Sequence, residues 1–170
     1  MKIRVIGDHN VGRRSLIIAG TVDNKFQLDQ SEYIDPGAVD FYLTKMKLDG
    51  TPYNVNITMD PCAGEPEDIE MFRFRRYCMT DVFLVCFSTV IPESLENVSK
   101  KWIPKIRDYN PTEKVPTLLL VGTQIDLRQD RATLDKLADK NQIPISSKVW
   151  VKVAKQIGAA KYVECSATTN

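Results

Sequence analysis

The chain has 170 residues, 43% hydrophobic and 26% charged, with 23 basic and 22 acidic side chains for a net charge of +1. A chain of this length forms one domain with a sizeable core, and its composition is not that of a disordered polymer. The near-neutral balance gives no argument for a nucleic-acid or membrane-surface partner.

Ile3, Val5 and Ile6 form a strand-type apolar run that Gly7 breaks. After Gly12, the residues Leu16, Ile17 and Ile18 resume on a helix, Ser15 to Ala19, that Gly20 is expected to end. A strand, a glycine-punctuated turn and a helix together make a phosphate cradle, with backbone N–H groups and the helix N-terminus facing an anion. The P-loop pattern is G-x-x-x-x-G-K-[ST]. Gly7 and Gly12 have its spacing, but Arg13 stands at the lysine position and Arg14 at the hydroxyl position.

Val39 to Leu48 and Tyr53 to Met59 alternate as half-buried strands and flank the hairpin signal Asp49-Gly50, so they should pair antiparallel. Asp60 to Asp68 is a loop, and Ile69 to Met79 a short basic helix. Asp81 to Ser88 is a continuous apolar run, the mark of a buried parallel strand, and Val115 to Val121 is a second one. Between them a helix opens at Ile91-Pro-Glu-Ser94, with Leu95, Val98, Trp102 and Ile106 as its apolar stripe. A charged helix follows at Arg131 to Lys140 with Leu134, Leu137 and Ala138 inward, then an amphipathic helix at Val149 to Ile157 and a last strand at Tyr162 to Ser166. Strands alternating with helices predict an α/β domain over residues 1–170, with a mostly parallel central sheet and helices on both faces. Its ligand would lie at the carboxyl ends of the strands.

The four cysteines, Cys62, Cys78, Cys86 and Cys165, include no C-x-x-C pair and read as reduced cytosolic thiols. The single histidine, His9, cannot build a histidine metal cluster or a catalytic triad. No signal peptide, transmembrane run or C-terminal lipidation box is visible, which predicts a cytoplasmic protein.

Three further stretches carry a family resemblance. Tyr77 to Lys105 resembles the Rho/Rac branch of the Ras-like small GTPases. Val121-Gly-Thr-Gln-Ile-Asp-Leu127 is similar to the guanine-specificity loop, and Glu164-Cys-Ser-Ala167 to the second guanine loop. Arg128 to Pro144 resembles the extra charged helix that marks Rho proteins. The resemblance implies a P-loop small GTPase fold with a Rho-type extra helix. It also implies nucleotide-binding roles for Gly7, Asn10, Val11, Gly12, Arg13, Arg14 and Ser15 around the phosphates. Phe26 would lie near the base, and Thr123, Gln124, Asp126, Ser166 and Ala167 would lie at the guanine. Asp126 would accept from the ring N1–H and exocyclic amine, because a carboxylate only accepts. A strand-end turn aspartate is the plainer alternative. By the same resemblance, Rho-type effectors or regulators would contact Thr21 to Phe41 and Gly64 to Met79. Arg73, Arg75 and Arg76 beside Phe72, Phe74 and Tyr77 would form either a partner-facing basic-aromatic surface or, more simply, a helix with a packed apolar side and a solvated charged side.

The departures from the family pattern cluster on the phosphate side. Arg13 keeps the lysine's charge in a larger planar fork, and Arg14 offers no lone pair to Mg²⁺. An arginine held ~4 Å from a dication would meet roughly 8 kcal/mol of repulsion at an effective dielectric near 20. Alternatively, both arginines face solvent at a helix start. His9 replaces a small residue beside the γ-phosphate, or is simply a surface-loop side chain. The switch threonine is missing, with Gly37 its nearest counterpart, and the D-T-A-G-Q motif becomes Asp60-Pro-Cys-Ala-Gly64-Glu65, followed by Pro66. Each charge-assisted hydrogen bond that the phosphates forgo is worth about 1.5–3 kcal/mol. At ~1.4 kcal/mol per decade, binding should weaken by roughly two to four decades. Hydrolysis needs the lysine, metal, threonine and glutamine together, so it should fail more completely than binding.

These features predict a Rho-like signalling protein in cytoskeletal regulation, close to a pseudo-GTPase. GDP or GTP would bind weakly, Mg²⁺ would not bind, no residue would be catalytic, and the protein would act by binding partners. The competing readings are a slow, atypical GTPase with Arg13 standing in for lysine, and an anion-occupied structural module. The family's last helix and lipidated tail are not found after Ala167, so membrane association is expected only through a tail outside this sequence.

Overall fold

The computed structural model describes residues 1–22, 41–60, 70–110 and 116–169. Six strands form one sheet in the order β2-β3-β1-β4-β5-β6. They are β1 (Lys2–Gly7), β2 (Phe41–Leu48), β3 (Thr51–Met59), β4 (Val82–Ser88), β5 (Thr117–Thr123) and β6 (Lys161–Glu164). Only the β2–β3 hairpin is antiparallel. The chain turns through it at Asp49 and Gly50, both in the left-handed region. The expected α/β class, mostly parallel sheet and antiparallel hairpin are all present.

The central strands are largely apolar because both of their faces are covered, with the buried Arg4 of β1 an exception. Val5 and Ile6 on β1, and Phe83, Val85, Cys86 and Phe87 on β4, have no exposed surface. One face packs Val5, Cys86 and Val121 against Val11 and Ile17 of α1 (Arg13–Val22) and the loop before it. The other packs Ile6, Phe83, Phe87 and Leu120 against the remaining helical layer. That layer includes α2 (Glu70–Cys78), α3 (Pro92–Asn97), α4 (Ile103–Asp108) and α6 (Ser147–Ile157). The short helix α5 (Arg131–Ala138) lies within the stretch expected to hold the extra charged helix, and Asp130 caps it by accepting from the Thr133 N–H at 2.8 Å.

Several local expectations need correction. Gly20 does not end α1, which continues to Val22; glycine lowers helix propensity without forbidding the conformation. The strand expected at Val115 is β5, displaced to Thr117–Thr123, and the last strand stops at Glu164, before Ser166. Ala138 is exposed rather than inward, and only Leu137 of α5 is buried. The helix after Ile91 is not continuous. A π-helical stretch, Val98–Trp102, separates α3 from α4, and the Ile103 N–H donates to the Val98 carbonyl. Pro104 explains the break, since it lacks an N–H and its ring crowds the carbonyl four residues earlier. The wider turn still buries Leu95, Val98, Trp102 and Ile106.

Gly7 has φ +147°, and a Cβ there would lie 2.3 Å from the Cys86 carbonyl oxygen. Gly20 sits inside α1, where a Cβ would meet nothing within 4 Å. Gly7→Ala should therefore cost about 2–4 kcal/mol of stability, whereas Gly20→Ala should add up to about 1 kcal/mol. Urea unfolding of the two variants measures both.

Candidate functional site

The strand order reverses direction at β1, which has β3 on one side and β4 on the other. The loop leaving β1 therefore opens into the crevice where such sheets hold ligands. Gly7, Asn10 and Gly12 all have positive φ, and this carries the chain around the turn and into α1 at Arg13. Val11 is buried beneath the loop, while His9 and Asn10 are exposed. A turn that alternates right- and left-handed residues can point successive N–H groups toward a common concavity. Asp8 points the other way. Its carboxylate accepts from Asn97 Nδ2 at 2.7 Å and Trp102 Nε1 at 2.9 Å, with Lys101 Nζ at 3.9 Å. The loop is thus pinned to α3 and the π stretch.

The two arginines part company. Arg13 is 7% exposed, and its Nη1 donates to the backbone carbonyl of Asp60. Arg14 and Ser15 are exposed on the first turn of α1. The expectation of two arginines acting alike at the cradle is corrected. One is built into the protein, and the other faces solvent.

Asp60 is the least expected element. It is 1% exposed and follows directly on β3. Its carboxylate accepts from the Tyr77 hydroxyl at 2.9 Å and from Lys105 Nζ at 3.2 Å, and forms an ion pair with Arg4 at 3.5 Å. Tyr77 itself has no exposed surface, which fits the packed apolar side of the helix rather than a partner-facing place. Phe74 and Arg75 are exposed, and Arg76 is half-buried; the side chains of Phe72 and Arg73 lie outside the described set.

At the other end of the crevice, Thr123 closes β5 and its hydroxyl lies 2.5 Å from the Val11 carbonyl and 3.0 Å from that of Phe87. Gln124 adopts a left-handed conformation. Its Oε1 accepts from Ser88 Oγ at 2.5 Å and its Nε2 donates to the Asn10 carbonyl at 3.3 Å, while Thr89 Oγ1 donates to its main-chain carbonyl. Gln124 therefore bridges β4, β5 and the glycine loop. Asp126 lies on a short 3-10 turn, half-buried, and accepts from Thr168 Oγ1 at 3.2 Å. Ser166 is buried and takes N–H donations from Thr168 and Thr169, and Ala167 is exposed beside it. Phe26, Gly37, Gly64, Glu65 and Pro66 lie outside the described residues, as does most of Thr21 to Phe41.

A second polar cluster supports the Ser166 loop. Glu164 pairs with Arg128 and accepts from the Tyr162 hydroxyl at 2.8 Å. Desolvation raises the Glu164 carboxyl, but these donors outweigh it and hold it below its ordinary value. Burial pushes the Cys86 thiol, under the glycine loop, up to about 12. It is an inert core group rather than a nucleophile.

Sequence reasoning missed Arg4, Asp8, Lys105 and Ser88, and placed Asp60 only at the head of an altered loop motif. Arg4 carried a readable signal, because a charge inside the strand run I-R-V-I must find a buried partner. The Ras family model matches residues 2–170 of the chain.

Removing the Asp60 charge leaves Arg4 and Lys105 without their counter-ion. Asp60→Asn should cost about 3–5 kcal/mol. Adding Arg4→Met should recover part of that loss, with a coupling of about 1–3 kcal/mol. A double-mutant cycle by chemical denaturation gives both values.

Proposed function

Because the chain belongs to the Ras family, we propose that it is a Rho-type signalling protein that works by partner contact and holds guanine nucleotide weakly, without a divalent cation. Hydrolysis would be negligible, and a role in cytoskeletal regulation rests on the Rho-like stretches Tyr77 to Lys105 and Arg128 to Pro144 alone.

The observation that carries this reading is the engagement of Asp60. In the family pattern, the P-loop hydroxyl serves the magnesium side of the pocket, and Asp60 heads the altered D-T-A-G-Q motif beside it. Here the carboxylate is held by Arg4, Lys105 and Tyr77, and the hydroxyl position is the exposed Arg14. A guanidinium has no lone pair to give a metal, and a carboxylate shared between two cations is a poor ligand for a third. The residues do not fit magnesium.

The nucleoside side is better supplied. Asp126 would accept from the guanine N1–H and amine, and the backbone at Ser166 and Ala167 would face its carbonyl. Thr123 and Gln124 brace the loop that would carry the phosphates. Gly7, Asn10, Val11 and Gly12 would offer backbone N–H groups, the exposed Arg14 would neutralise phosphate charge from solvent, and Ser15 would lie beside it on the first turn of α1. Phe26 would complete the base pocket.

Calorimetric titration with GDP and GTP, with magnesium and with a chelator, tests the reading. GDP should bind with an affinity that changes less than about threefold on chelation, roughly 0.6 kcal/mol or less. Asp126→Ala should weaken that binding by at least about tenfold, and no phosphate should be released from GTP. Arg14→Thr alone should not restore a magnesium requirement, because Asp60 stays engaged. Tight magnesium-dependent GTP binding would overturn the proposal, and steady Asp126-dependent phosphate release would favour the slow-GTPase reading instead.

A further inference from the structure

The carboxylate of Asp126 already has a donor. It lies half-buried on the 3-10 turn Ile125–Gln129, and its Oδ2 accepts from Thr168 Oγ1 at 3.2 Å. No other donor among the described residues reaches this carboxylate. The main chain holds the two loops side by side. The Cys165 N–H donates to the Gly122 carbonyl at 2.9 Å, and the Ile125 N–H to the Cys165 carbonyl at 3.5 Å. Arg128, on the same turn as Asp126, pairs with Glu164 just ahead of the Ser166 loop.

The hydroxyl protons have one consistent assignment. Ser166 is 1% exposed, so its hydroxyl must find its partners within the protein. Its Oγ accepts from the Thr168 N–H at 3.1 Å and from the Thr169 N–H at 3.3 Å. A hydroxyl has two lone pairs and one proton. The acceptor side of Ser166 is therefore full, and its proton goes to Thr168 Oγ1, 3.1 Å away. The Thr168 proton in turn goes to Asp126 Oδ2. Ser166, Thr168 and Asp126 thus form a directed chain in which each bond polarises the next.

This chain alters what the carboxylate can discriminate. Guanine presents two donors on one edge, the ring N1–H and the exocyclic amine, one for each carboxylate oxygen. Hypoxanthine, the base of inosine, presents the same N1–H and carbonyl but no amine. A site that bonds a ligand N–H rejects the analogue lacking it because an acceptor is left unpaired. Here Oδ2 is not left unpaired, since Thr168 holds it whether or not an amine arrives. A guanine amine has to share that oxygen with a hydroxyl already in place. Adenine differs, because its ring N1 carries a lone pair and would face the carboxylate with like polarity.

We propose that Thr168 is a specificity-determining residue, which by holding Asp126 Oδ2 makes the pocket accept 6-oxopurine nucleotides as a class, inosine diphosphate about as readily as GDP. The inference rests on the nucleotide reading above and deepens it, since it concerns the base end of the same site.

The test is calorimetric titration of the full chain with GDP, inosine diphosphate and ADP. The unaltered chain should bind the first two within about threefold of each other and ADP at least about tenfold more weakly. Thr168→Val removes the hydroxyl at nearly constant size, and should open a preference for GDP over inosine diphosphate of at least about tenfold. Thr168→Ser keeps the hydroxyl and should behave as the unaltered chain. Guanosine and inosine, followed by saturation-transfer NMR, repeat the comparison without phosphates, so weakness of the cradle does not mask the result. A tenfold GDP preference in the unaltered chain, or a ratio that Thr168→Val leaves unchanged, would overturn the inference and leave the nucleotide reading standing. So would a Thr168→Ser variant that matches Thr168→Val, because packing and not the hydroxyl would then be responsible. Failure of every nucleotide and nucleoside to bind would overturn the nucleotide reading itself, and this inference with it.

Discussion

The buried carboxylate of Asp60 constrains this molecule more than any other group. A charge removed from water is tolerated only when paired and hydrogen-bonded. Asp60 meets that demand with a guanidinium from β1, an ammonium from α4 and a phenol from α2. Its main-chain carbonyl receives Arg13 from the start of α1. Four elements thus converge on one residue at the end of β3. The arrangement is self-consistent: a second cation near Arg4 would be prohibitive without the carboxylate, and the carboxylate would be prohibitive without them.

The rest of the crevice is maintained by hydrogen bonds, neutral on one side and to a carboxylate on the other. Thr123 and Gln124 reach from β5 to the glycine loop, and Asp8 fastens the same loop to Trp102 and Asn97 on the opposite side. The loop is therefore braced from two directions by its own protein. This separates shape from electrostatics: the cradle keeps its turn, with Gly7 pressed against the Cys86 carbonyl, while its cationic partners are either internalised, as Arg13 is, or turned outward, as Arg14 is.

Much of the architecture was legible because it follows from local patterns. The apolar run Val82 to Phe87 could only be a strand covered on both faces, and Asp49-Gly50 fixed the hairpin and its register. What escaped has a common physical origin, because it depends on partners distant in sequence. Arg4 meets Asp60 across 56 positions, and nothing near either residue announces the other. The π stretch before Pro104 was hidden because the periodicity of Leu95, Val98, Trp102 and Ile106 survives an extra residue per turn. Ala138 misled because a small apolar residue satisfies either face of a helix. At the crevice, spacing pointed to Gly7 and Gly12, and the family resemblance pointed to Asp126. Neither could say that Arg13 would fold inward and Arg14 outward, since that choice depends on a carbonyl supplied by β3.

The bond between Trp102 and Asp8 has a practical corollary. The chain has two tryptophans. Trp150 stacks on Tyr162 at a centroid distance of 3.2 Å, far from the glycine loop in sequence, whereas the indole N–H of Trp102 is tied directly to that loop. Indole emission responds to the strength of its hydrogen bond and to nearby charge. The molecule therefore carries an intrinsic optical gauge of the loop's posture, readable without any dye once Trp150 is replaced by phenylalanine.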